Sequence, residues 1–394
     1  AGSEPKASGL RPSPQNFVWR LLDLHRYELA TVDAGLTVTH LGEGEDVATA
    51  ADPLKTARLL SARDPALEHF WTDFASAMAR SHEAAETADA QPRRAAPVGL
   101  PLADPRWASA VDVLDDRFTD EGLKAHLLMS ALAPLGLAGD EPGSALALFD
   151  AGARDPQQRV DAEALQDALA AAAKDAGVAI EAGKLVRLSR MGDRAVTAQL
   201  DTGTELRAAR AVASSALIAD AAGLVIEAGG SPLRRQAGVE ATIRLRYARK
   251  PRVKSGAQSG SVHHIAADKR ALQRARDAML EGRLDEAMPI SFEIRGREIL
   301  ARASYAPAAI RDNGAMREWT GQDLQILGRA AAAAIGRRLD PACGAPQAVD
   351  TTLGPDVAAG LRRRDFSQSP IAAPAPSVDA VGAAAALAMR LARA

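Results

Sequence analysis

The sequence predicts a mixed α/β chain in which helices and strands alternate along 394 residues. Two observations carry this prediction. Between residues 160 and 216, apolar residues at helical spacing are followed by short alternating segments that are separated by turns. At about residue 237 the apolar spacing changes from the helical period to the period of two that is typical of strands with one buried face.

Helices dominate the predicted elements before residue 150, after an expected strand at residues 36–39. These helices are predicted at residues 52–60, 64–80, 111–114, 123–132 and 142–149. Asp64 can cap the second helix and Thr119 or Asp120 the fourth, because a side-chain oxygen at the N-cap accepts from free N–H groups of the first turn. Residues 81–106 are polar and rich in proline, so we expect a long connection there.

The run from residue 160 to 216 begins with a helix that Asp161 can cap and that Gly177 ends. Its apolar residues recur at the spacing of one helix face. The strands predicted after it are residues 178–180, a three-stranded meander at 185–188, 195–200 and 205–206, and a last apolar strand at 211–216.

Residues 239–247 show the most regular alternation in the chain, with apolar and charged residues on opposite sides, which predicts a strand with one solvated face. The elements predicted after it are a helix at 268–281, strands at 290–294 and 299–305, a helix at 322–339 and a terminal helix at 380–394. The three strands and the first helix predict an antiparallel sheet with a helix packed on it. Residues 344–377 hold five prolines.

Composition limits the classes of partner that we expect. The 48 Lys+Arg and 50 Asp+Glu residues give a net charge of −2, so no basic field indicates nucleic acid. Cys343 is the single cysteine, which excludes an intrachain disulfide and a cysteine metal cluster and suits a reducing, cytoplasmic location. No run of 18 apolar residues exists, so no transmembrane segment is predicted, and no signal-peptide apolar region is expected at the first residues.

The order of these elements resembles that of FAD-dependent flavoproteins of the amine-oxidase and phytoene-desaturase class, in the branch with a pyridine-nucleotide-disulfide-oxidoreductase domain. The matching segments are the meander, Asp115–Phe118, Pro142–Ala145, Arg274–Arg283 and Tyr305–Pro307. The resemblance implies an FAD-type three-layer domain with a β-meander, together with a substrate-type antiparallel sheet and a helical segment. It also implies an oxidoreductase that acts on an apolar or isoprenoid-like substrate.

The resemblance implies a division of the chain into five segments. These are a flexible arm at 1–16, a mostly helical substrate-type segment at 17–150, a remnant cofactor-type domain with the meander at 151–220, the substrate-type antiparallel sheet at 221–319, and helices at 320–394 that return to the cofactor-type domain.

The family's glycine-rich phosphate loop has no match in this sequence. Such proteins bind the FAD pyrophosphate at a strand, a G-x-G-x-x-G string and a helix N-terminus. The nearest string, Gly42-Glu43-Gly44, lacks the third glycine and is followed by further acids, which repel a pyrophosphate. We interpret it as an exposed turn, so the N-terminal dinucleotide-binding βαβ unit is expected to be lacking and no FAD is expected.

By resemblance alone, a few positions remain candidates for contact with an adenine dinucleotide. Val186 lies on the first meander strand, and Ser214, Ser215 and Ala216 lie at the end of the last strand. Asp379 opens the terminal helix, whose N-terminus can attract an anion. Core packing and an ordinary strand end are the alternative interpretation of these positions. No catalytic residue is predicted.

Other residues that carry chemistry have ordinary structural explanations. His263 and His264 are adjacent in a strand and face opposite sides, so they would not hold one metal ion, and no metal site is predicted. We interpret Cys343 as a plain thiol and Asp115-Asp116 as part of a solvated helix face. The run Arg362–Arg364 is either a solvated turn or a site for phosphate or an acidic partner.

Two functional hypotheses follow. In the first, the chain is a degenerate FAD-dependent oxidoreductase-like protein that lacks normal FAD binding and serves as a binding or scaffolding subunit, with a protein partner, a second copy or an apolar small molecule bound. In the second, it is an FAD-dependent oxidoreductase, similar to phytoene desaturases, whose nucleotide-binding unit is supplied elsewhere or altered.

Overall fold

The computed structural model describes residues 22–62, 108–148, 158–179, 185–213, 238–357 and 371–372, with short gaps inside several of these ranges. The strands are β1 (Thr31–Asp33), β2 (Thr37–Leu41), β3 (Asp46–Thr49), β4 (Gln158–Val160), β5 (Leu185–Met191), β6 (Ala195–Leu200), β7 (Glu205–Ala208), β8 (Val212–Ala213), β9 (Gly238–Arg246), β10 (Val262–Ala266), β11 (Ile290–Arg295), β12 (Glu298–Pro307), β13 (Ile310–Asp312), β14 (Ala315–Arg317), β15 (Ala348–Val357) and β16 (Ile371–Ala372). The α-helices are α1 (Pro53–Ser61), α2 (Ala110–Arg117), α3 (Glu121–Leu132), α4 (Ala162–Asp175), α5 (Ala271–Leu280) and α6 (Gly321–Gly336).

A seven-stranded sheet in the order β15-β9-β12-β11-β10-β2-β3 contains most of the buried core. Its neighbouring strands are antiparallel except β10 and β2, which run parallel. The sheet therefore unites β9 with β11 and β12, which confirms that residues 239–247 and 290–305 share one mainly antiparallel sheet. Strands β2 and β3 extend this sheet from a part of the chain that lies some 200 residues earlier, as the pairing of His40 with His263 illustrates at a separation of 223 residues.

Strand β9 shows why these residues form a sheet with one apolar face. Val239, Ala241, Ile243 and Leu245 are buried, whereas the intervening residues are partly exposed. Helix α6 packs against β15 and β9 and adds Leu327, Ala331 and Ile335 to the same core. This alternation is the pattern that the sequence predicts for residues 239–247.

Side-chain caps fix the starts of the helices that cover the sheet. Asp52 caps α1, Ser109 caps α2 and Asp120 caps α3, each by accepting a hydrogen bond from a backbone N–H of the first turn. The predicted helices at residues 52–60, 111–114 and 123–132 are therefore confirmed with small shifts of their ends. No helix in the described part of the chain combines the length and the apolar character needed to span a membrane.

Helix α6 begins in a capping box that an arginine reinforces. Thr320 Oγ1 accepts from the N–H of Asp323, and the Asp323 carboxylate accepts from the N–H of Thr320. Arg317 donates two hydrogen bonds to the same carboxylate, at 2.6 and 3.0 Å. The guanidinium holds the pKa of Asp323 well below its usual range, so this clamp stays charged and joins the hairpin of β13 and β14 to α6.

The predicted meander is present as the antiparallel sheet β5-β6-β7. Helix α4 precedes it and ends at Gly177, which has φ 77°. The N–H groups of Gly177 and Val178 donate to Lys174 and Ala173, which is the Schellman arrangement of a glycine-terminated helix. Val178 is 52 % exposed and lies outside any strand, so the predicted strand at 178–180 is wrong for its described residues.

Strand β15 is an element that the sequence does not predict. It contains Pro355, and proline inside a run normally argues against a strand. The structure accommodates the proline because β15 is an edge strand whose register shifts between Leu353 and Asp356. Strand β3 is also absent from the predicted elements, because it has only four residues and follows a run of acidic residues.

The first part of the segment after residue 320 packs on the seven-stranded sheet, as α6 and β15. The predicted return of residues 320–394 to the meander unit stays a prediction, because most of residues 358–394 lie outside the described residues. Only the two-residue strand β16 pairs with β8, at the end of the meander region, among the described residues. Residues 1–16, 81–106 and 380–394, with most of 64–80, lie outside the described residues.

A buried glycine of α6 provides a test of how closely the helix packs on β15. A Cβ at Gly328 would lie 2.5 Å from Thr351 Oγ1 and 2.9 Å from Val349 Cγ1. Both neighbours are β-branched and have little rotamer freedom. We therefore expect Gly328→Ala to lower the free energy of unfolding by roughly 1–3 kcal/mol, as overpacked cores do.

Gly336, the last residue of the same helix, is the matched control. A Cβ there would meet nothing within 4 Å. Gly336→Ala should leave stability unchanged or raise it by up to about 1 kcal/mol, since alanine reduces the freedom of the unfolded chain. Chemical denaturation of both variants measures the difference, and equal stabilities would contradict the packing described for α6.

Candidate functional site

The two faces of the seven-stranded sheet differ in polarity, because side chains alternate along each strand. On one face, a row of register partners is mainly apolar and consists of Val38, His263, Phe292, Ala301, Ile243 and Thr351. On the other face, the adjacent row is polar in all six strands and consists of Thr39, His264, Ser291, Arg302, Thr242 and Thr352. We call this second set the polar row.

The polar row is buried where it crosses the middle of the sheet. Thr39 is 0 %, His264 4 % and Ser291 6 % exposed. Buried polar groups cost free energy unless they are hydrogen-bonded, and His264 Nδ1 lies 2.7 Å from Ser291 Oγ. A polar sheet face held in the interior is unusual for packing alone, so it is the candidate functional site of the described chain.

An ion pair between β9 and β12 extends the polar row. Glu240 Oε2 lies 3.0 Å from Arg302 Nε, and both side chains are less than a quarter exposed. The guanidinium nitrogen is buried and makes no aligned hydrogen bond, so the contact is electrostatic. Burial raises the pKa of the Glu240 carboxyl, and the charge of Arg302 partly opposes this shift.

Charges of both signs continue toward the outer end of this face. Glu293 is buried and pairs with Arg295 at 3.2 Å, whereas the Arg246–Glu298 pair at 3.0 Å is largely exposed. Such a surface can bind a ligand that carries polar or charged groups. Since the pKa of Glu240 is raised, its carboxyl can also hold or release a proton closer to neutral pH than an ordinary glutamate.

A chain of three titratable groups lies on the opposite face of β2 and β10. Asp46 Oδ1 lies 3.0 Å from His40 Nδ1, and His40 Nε2 lies 3.2 Å from His263 Nδ1. Both imidazole rings stack with Phe292. Burial and the neighbouring His40 lower the pKa of His263 from 6.5 to about 4, against a small opposing effect of Asp46.

A further histidine joins α3 to the same two strands from the polar side. His126 lies with Nδ1 2.7 Å from Thr39 Oγ1 and with Nε2 2.8 Å from Thr49 Oγ1. Burial lowers its pKa from 6.5 to about 4. The ring is therefore neutral at physiological pH, and one nitrogen donates while the other accepts.

An open cleft of about 550 Å³ lies at the carboxyl ends of β2 and β10. Its walls are Leu41, Glu121, Gly122, Ala267, Asp268, Lys269 and Arg270. Lys269 contacts Asp115 at 3.1 Å and Glu121 at 2.8 Å, and the buried Lys124 contacts the same two carboxylates. This compensated network fixes the start of α3, so Asp115 has a structural partner and is not merely part of a solvated face.

The candidate cofactor-binding residues predicted from the sequence stay a prediction, because their side chains lie outside the described residues. Val186 lies on β5, but its side chain is outside the described residues, and so are Ser214, Ser215, Ala216 and Asp379. His263 and His264 do face opposite sides of the sheet, as the sequence predicts, since one contacts His40 and the other Ser291. The described residues contain no group of three histidine, cysteine or acidic side chains that could hold a metal ion.

The glycine string at residue 42 has the geometry of a hairpin connection. Strand β2 precedes Gly42, and β3 returns antiparallel to it, whereas a phosphate loop leads from a strand into a helix. Gly42 is exposed, and a Cβ there would meet only the carbonyl oxygen of Ala267, at 3.6 Å. The described residues around this string therefore do not fit the pyrophosphate of FAD. Gly42 itself is an exposed turn residue, and residues 43–45 lie outside the described residues.

Sequence reasoning missed the side chains that make this site. Glu240 and Arg244 are visible in the alternation of β9, but that alternation was sufficient only to predict a solvated face. The signal that distinguishes the site is the recurrence of charged and polar residues on β11 and β12 as well, in Ser291, Glu293 and Arg302. Their position on one face becomes evident only when the strand register is known.

The Glu240–Arg302 pair supplies a test of this buried polar face. We expect Arg302→Met to lower the free energy of unfolding by roughly 2–4 kcal/mol, because it leaves a buried carboxylate without its partner. The double variant Glu240→Gln/Arg302→Met should recover part of this loss. Arg246→Met, which breaks an exposed pair on the same two strands, should cost less than about 1 kcal/mol. Urea denaturation measures all three, and equal losses for the two arginine variants would contradict the burial of the site.

Comparisons with known proteins identify the fold. No family model matches the sequence, and no curated protein matches it in sequence. Among solved structures, a triple mutant of putrescine oxidase superimposes with a TM-score of 0.54 at 14 % identity, covering 100 % of this chain and 89 % of that chain. Wild-type putrescine oxidase bound to putrescine gives 0.52 at 14 % identity, covering 98 % of this chain and 87 % of that chain.

Cyclohexylamine oxidase from Brevibacterium oxydans superimposes with a TM-score of 0.48 at 13 % identity, covering 100 % of this chain and 93 % of that chain. At such identities the putrescine oxidase match shows the fold alone. The predicted mixed α/β class is confirmed, and so is the resemblance to the amine-oxidase class at the level of the fold. The chain has an FAD-dependent amine-oxidase-like fold.

Proposed function

We propose that the chain is a degenerate FAD-dependent oxidoreductase-like protein that does not bind FAD in the ordinary way and acts as a cytoplasmic binding or scaffolding subunit. In this proposal it derives from the phytoene-desaturase-like branch and lacks the N-terminal βαβ unit. The observation that carries the proposal is the hairpin at Gly42, where the chain returns as β3 and forms no helix N-terminus for a pyrophosphate.

The polar row supports a retained binding function. A flavoenzyme that had lost its cofactor would be free to lose charged side chains from the sheet interior, since each buried charge is costly when unpaired. Here the interior keeps Glu240 with Arg302 and Glu293 with Arg295. This face favours a polar ligand or a polar segment of a partner over the apolar small molecule that the family resemblance implies.

A second candidate function is an FAD-dependent oxidoreductase whose nucleotide-binding unit is supplied elsewhere or altered. Two observations favour it: the sheet buries polar and charged side chains on one face, and beside the polar row lies Glu240, a carboxyl whose pKa is raised. In this case the polar row would orient a polar substrate, and Glu240 would exchange a proton with it.

The visible absorption spectrum of the purified full chain distinguishes the two functions. We expect no flavin band, because the loss of about three charge-assisted hydrogen bonds at roughly 1.5–3 kcal/mol each weakens FAD binding by about a thousandfold or more. Titration with FAD, followed by tryptophan fluorescence, should show no saturation at micromolar FAD.

A sample mixed with excess FAD and passed through the same desalting column controls for loosely carried flavin. Protein that purifies yellow and releases FAD on heating in equal molar amount would contradict the leading proposal and support the oxidoreductase. Protein that takes up stoichiometric FAD only in the presence of a second chain would support the version in which the unit is supplied elsewhere.

The proposed scaffolding role predicts association with a partner or with a second copy. Apolar side chains that a partner could cover are exposed at Leu54, Leu280, Met316 and Ile326, each at least half exposed. We expect light scattering during size exclusion to give a mass of two or more chains, with dissociation on dilution. A particle that stays monomeric at the highest attainable concentration and recovers no stoichiometric partner from its native host would count against this role.

A further inference from the structure

The hairpin of β2 and β3 occupies one edge of the seven-stranded sheet. Helix α1 packs on β3, and Arg338 donates a hydrogen bond to the carbonyl oxygen of Gly42, while two further attachments, to β10 and to α3, contain buried histidines. Strand β2 pairs in parallel with β10 over five register partners, from Thr37 with Val262 to Leu41 with Ala266. Helix α3 packs against both strands of the hairpin from the polar side. At each of these attachments the side-chain hydrogen bonds end on a buried histidine.

The first attachment tolerates one proton but not two. With one added proton on the pair, an N–H of one ring still donates to the bare nitrogen of the other, and His40 Nδ1 still faces the Asp46 carboxylate. If His263 Nδ1 is also protonated, two N–H groups face each other over the 3.2 Å that separates the rings, and no hydrogen bond remains. The two stacked rings, with centroids 5.4 Å apart, would then both be cationic.

The second attachment is sensitive to a single proton. His126 uses both nitrogens, toward Thr39 and Thr49, and it is 1 % exposed. A cationic ring donates from both nitrogens, so the threonine that donated to the neutral ring must turn its hydroxyl hydrogen elsewhere. The nearest charged side chain on its own helix, Lys124, points away to Asp115 and Glu121 and would in any case repel the imidazolium.

Among the residues that the structure describes, the other groups near these rings are apolar or already have partners. On the first face, β11 presents Phe292, and β3 presents Asp46, which His40 already engages. On the second face, β10 presents His264, whose ring contacts Ser291, and β11 presents the buried Glu293, which is paired with Arg295. Protonation of His126 and His263 is therefore opposed in the attached hairpin and is unopposed once the hairpin has moved away.

We propose that the β2–β3 hairpin, residues 37–49, is an acid-released element: protons on His126 and on both rings of the His40–His263 pair detach it from α3 and β10 while β9, β11, β12 and β15 remain paired. The remaining strands carry no histidine, and their ladder does not depend on the two attachments. This regulatory device stands apart from the proposed binding function, since it requires neither FAD nor a partner.

Linkage fixes the direction and the pH range of release. The pKa values of His126 and His263 are about 4 in the attached state, below the ordinary 6.5, so the released hairpin binds more protons. Release is therefore favoured as the pH falls from about 6.5 and gains nothing further below about 4. An uptake of two protons makes the equilibrium change by up to about 100-fold for each pH unit within this range.

Hydrogen exchange of the full chain, resolved by peptide and corrected for the intrinsic pH dependence, measures this release. We expect the protection factors of residues 37–41 and 46–49 to fall by up to about 100-fold for each pH unit between pH 6 and 5. The protection of β9 and β12 should change much less over the same interval, which separates release from global unfolding.

Asparagine variants assign the effect to the two rings, since an amide retains a hydrogen-bonding group but does not titrate. In His126→Asn and in His263→Asn, the protection factors of the hairpin should change by only about tenfold for each pH unit. In the double variant they should no longer depend on pH in this range. His25→Asn, which alters an exposed histidine, should leave the slope unchanged.

The proposal is overturned by a wild-type hairpin whose protection follows that of β9 at every pH, or by single variants with the wild-type slope. If the double variant does not fold at neutral pH, the pH dependence of hairpin protection in the wild type and in the two single variants still tests the proposal. The proposal is also rejected if the protection factors of the wild-type hairpin do not depend on pH, whatever the variants show.

Discussion

The parallel pairing of β2 with β10 is the long-range contact that positions the edge hairpin, α3 and the cleft of the described structure. It brings together histidines that are 223 residues apart in the chain, and closing a loop of that length costs roughly 5 kcal/mol of entropy before any contact forms. The pairing offsets this cost with a backbone ladder and with buried side chains on both faces of β2, Val38 on one and Thr39 on the other. Once it is made, α3 has a surface to pack on, and the cleft at the carboxyl ends of the two strands is defined.

The spacing of apolar residues and the turn residues sufficed to predict the elements that depend on neighbours close in sequence. The alternation of β9, the meander and the glycine-terminated helix α4 could all be read from the sequence, because each depends on residues within one turn or one strand. Strand β15 could not, since Pro355 argues against a strand everywhere except at an edge with an irregular register. Its place at the edge is decided by β9, some 100 residues earlier, and no local signal reports it.

The candidate site could not be predicted from the sequence for a related reason. Each of its residues is ordinary by itself: Thr39 reads as a strand residue, Ser291 as a polar position in an apolar run, and Arg302 as a solvated charge. Their chemistry arises from register, because a shift of one residue in any strand would send that strand's member of the polar row to the apolar face. The sequence correctly places His263 and His264 on opposite faces of a strand. It could not show that His263 contacts His40 or that His264 contacts Ser291, because those contacts depend on the strands that pair with β10.

The same topology explains why a binding surface and a cofactor site can change independently on this fold. The charged residues in and beside the polar row, Glu240, Arg302 and Glu293, come from β9, β12 and β11, which are neighbours in the sheet and lie within about 70 residues of one another in sequence. FAD binding in the related fold relies instead on one glycine-rich loop that approaches the pyrophosphate with its backbone. Because the polar row makes no use of the hairpin at Gly42 beyond Thr39, replacement of such a loop leaves Glu240, Arg302 and Glu293 in register. The charged interior of the sheet and a phosphate loop are therefore built from separate parts of this fold, so one can change in sequence while the other is kept.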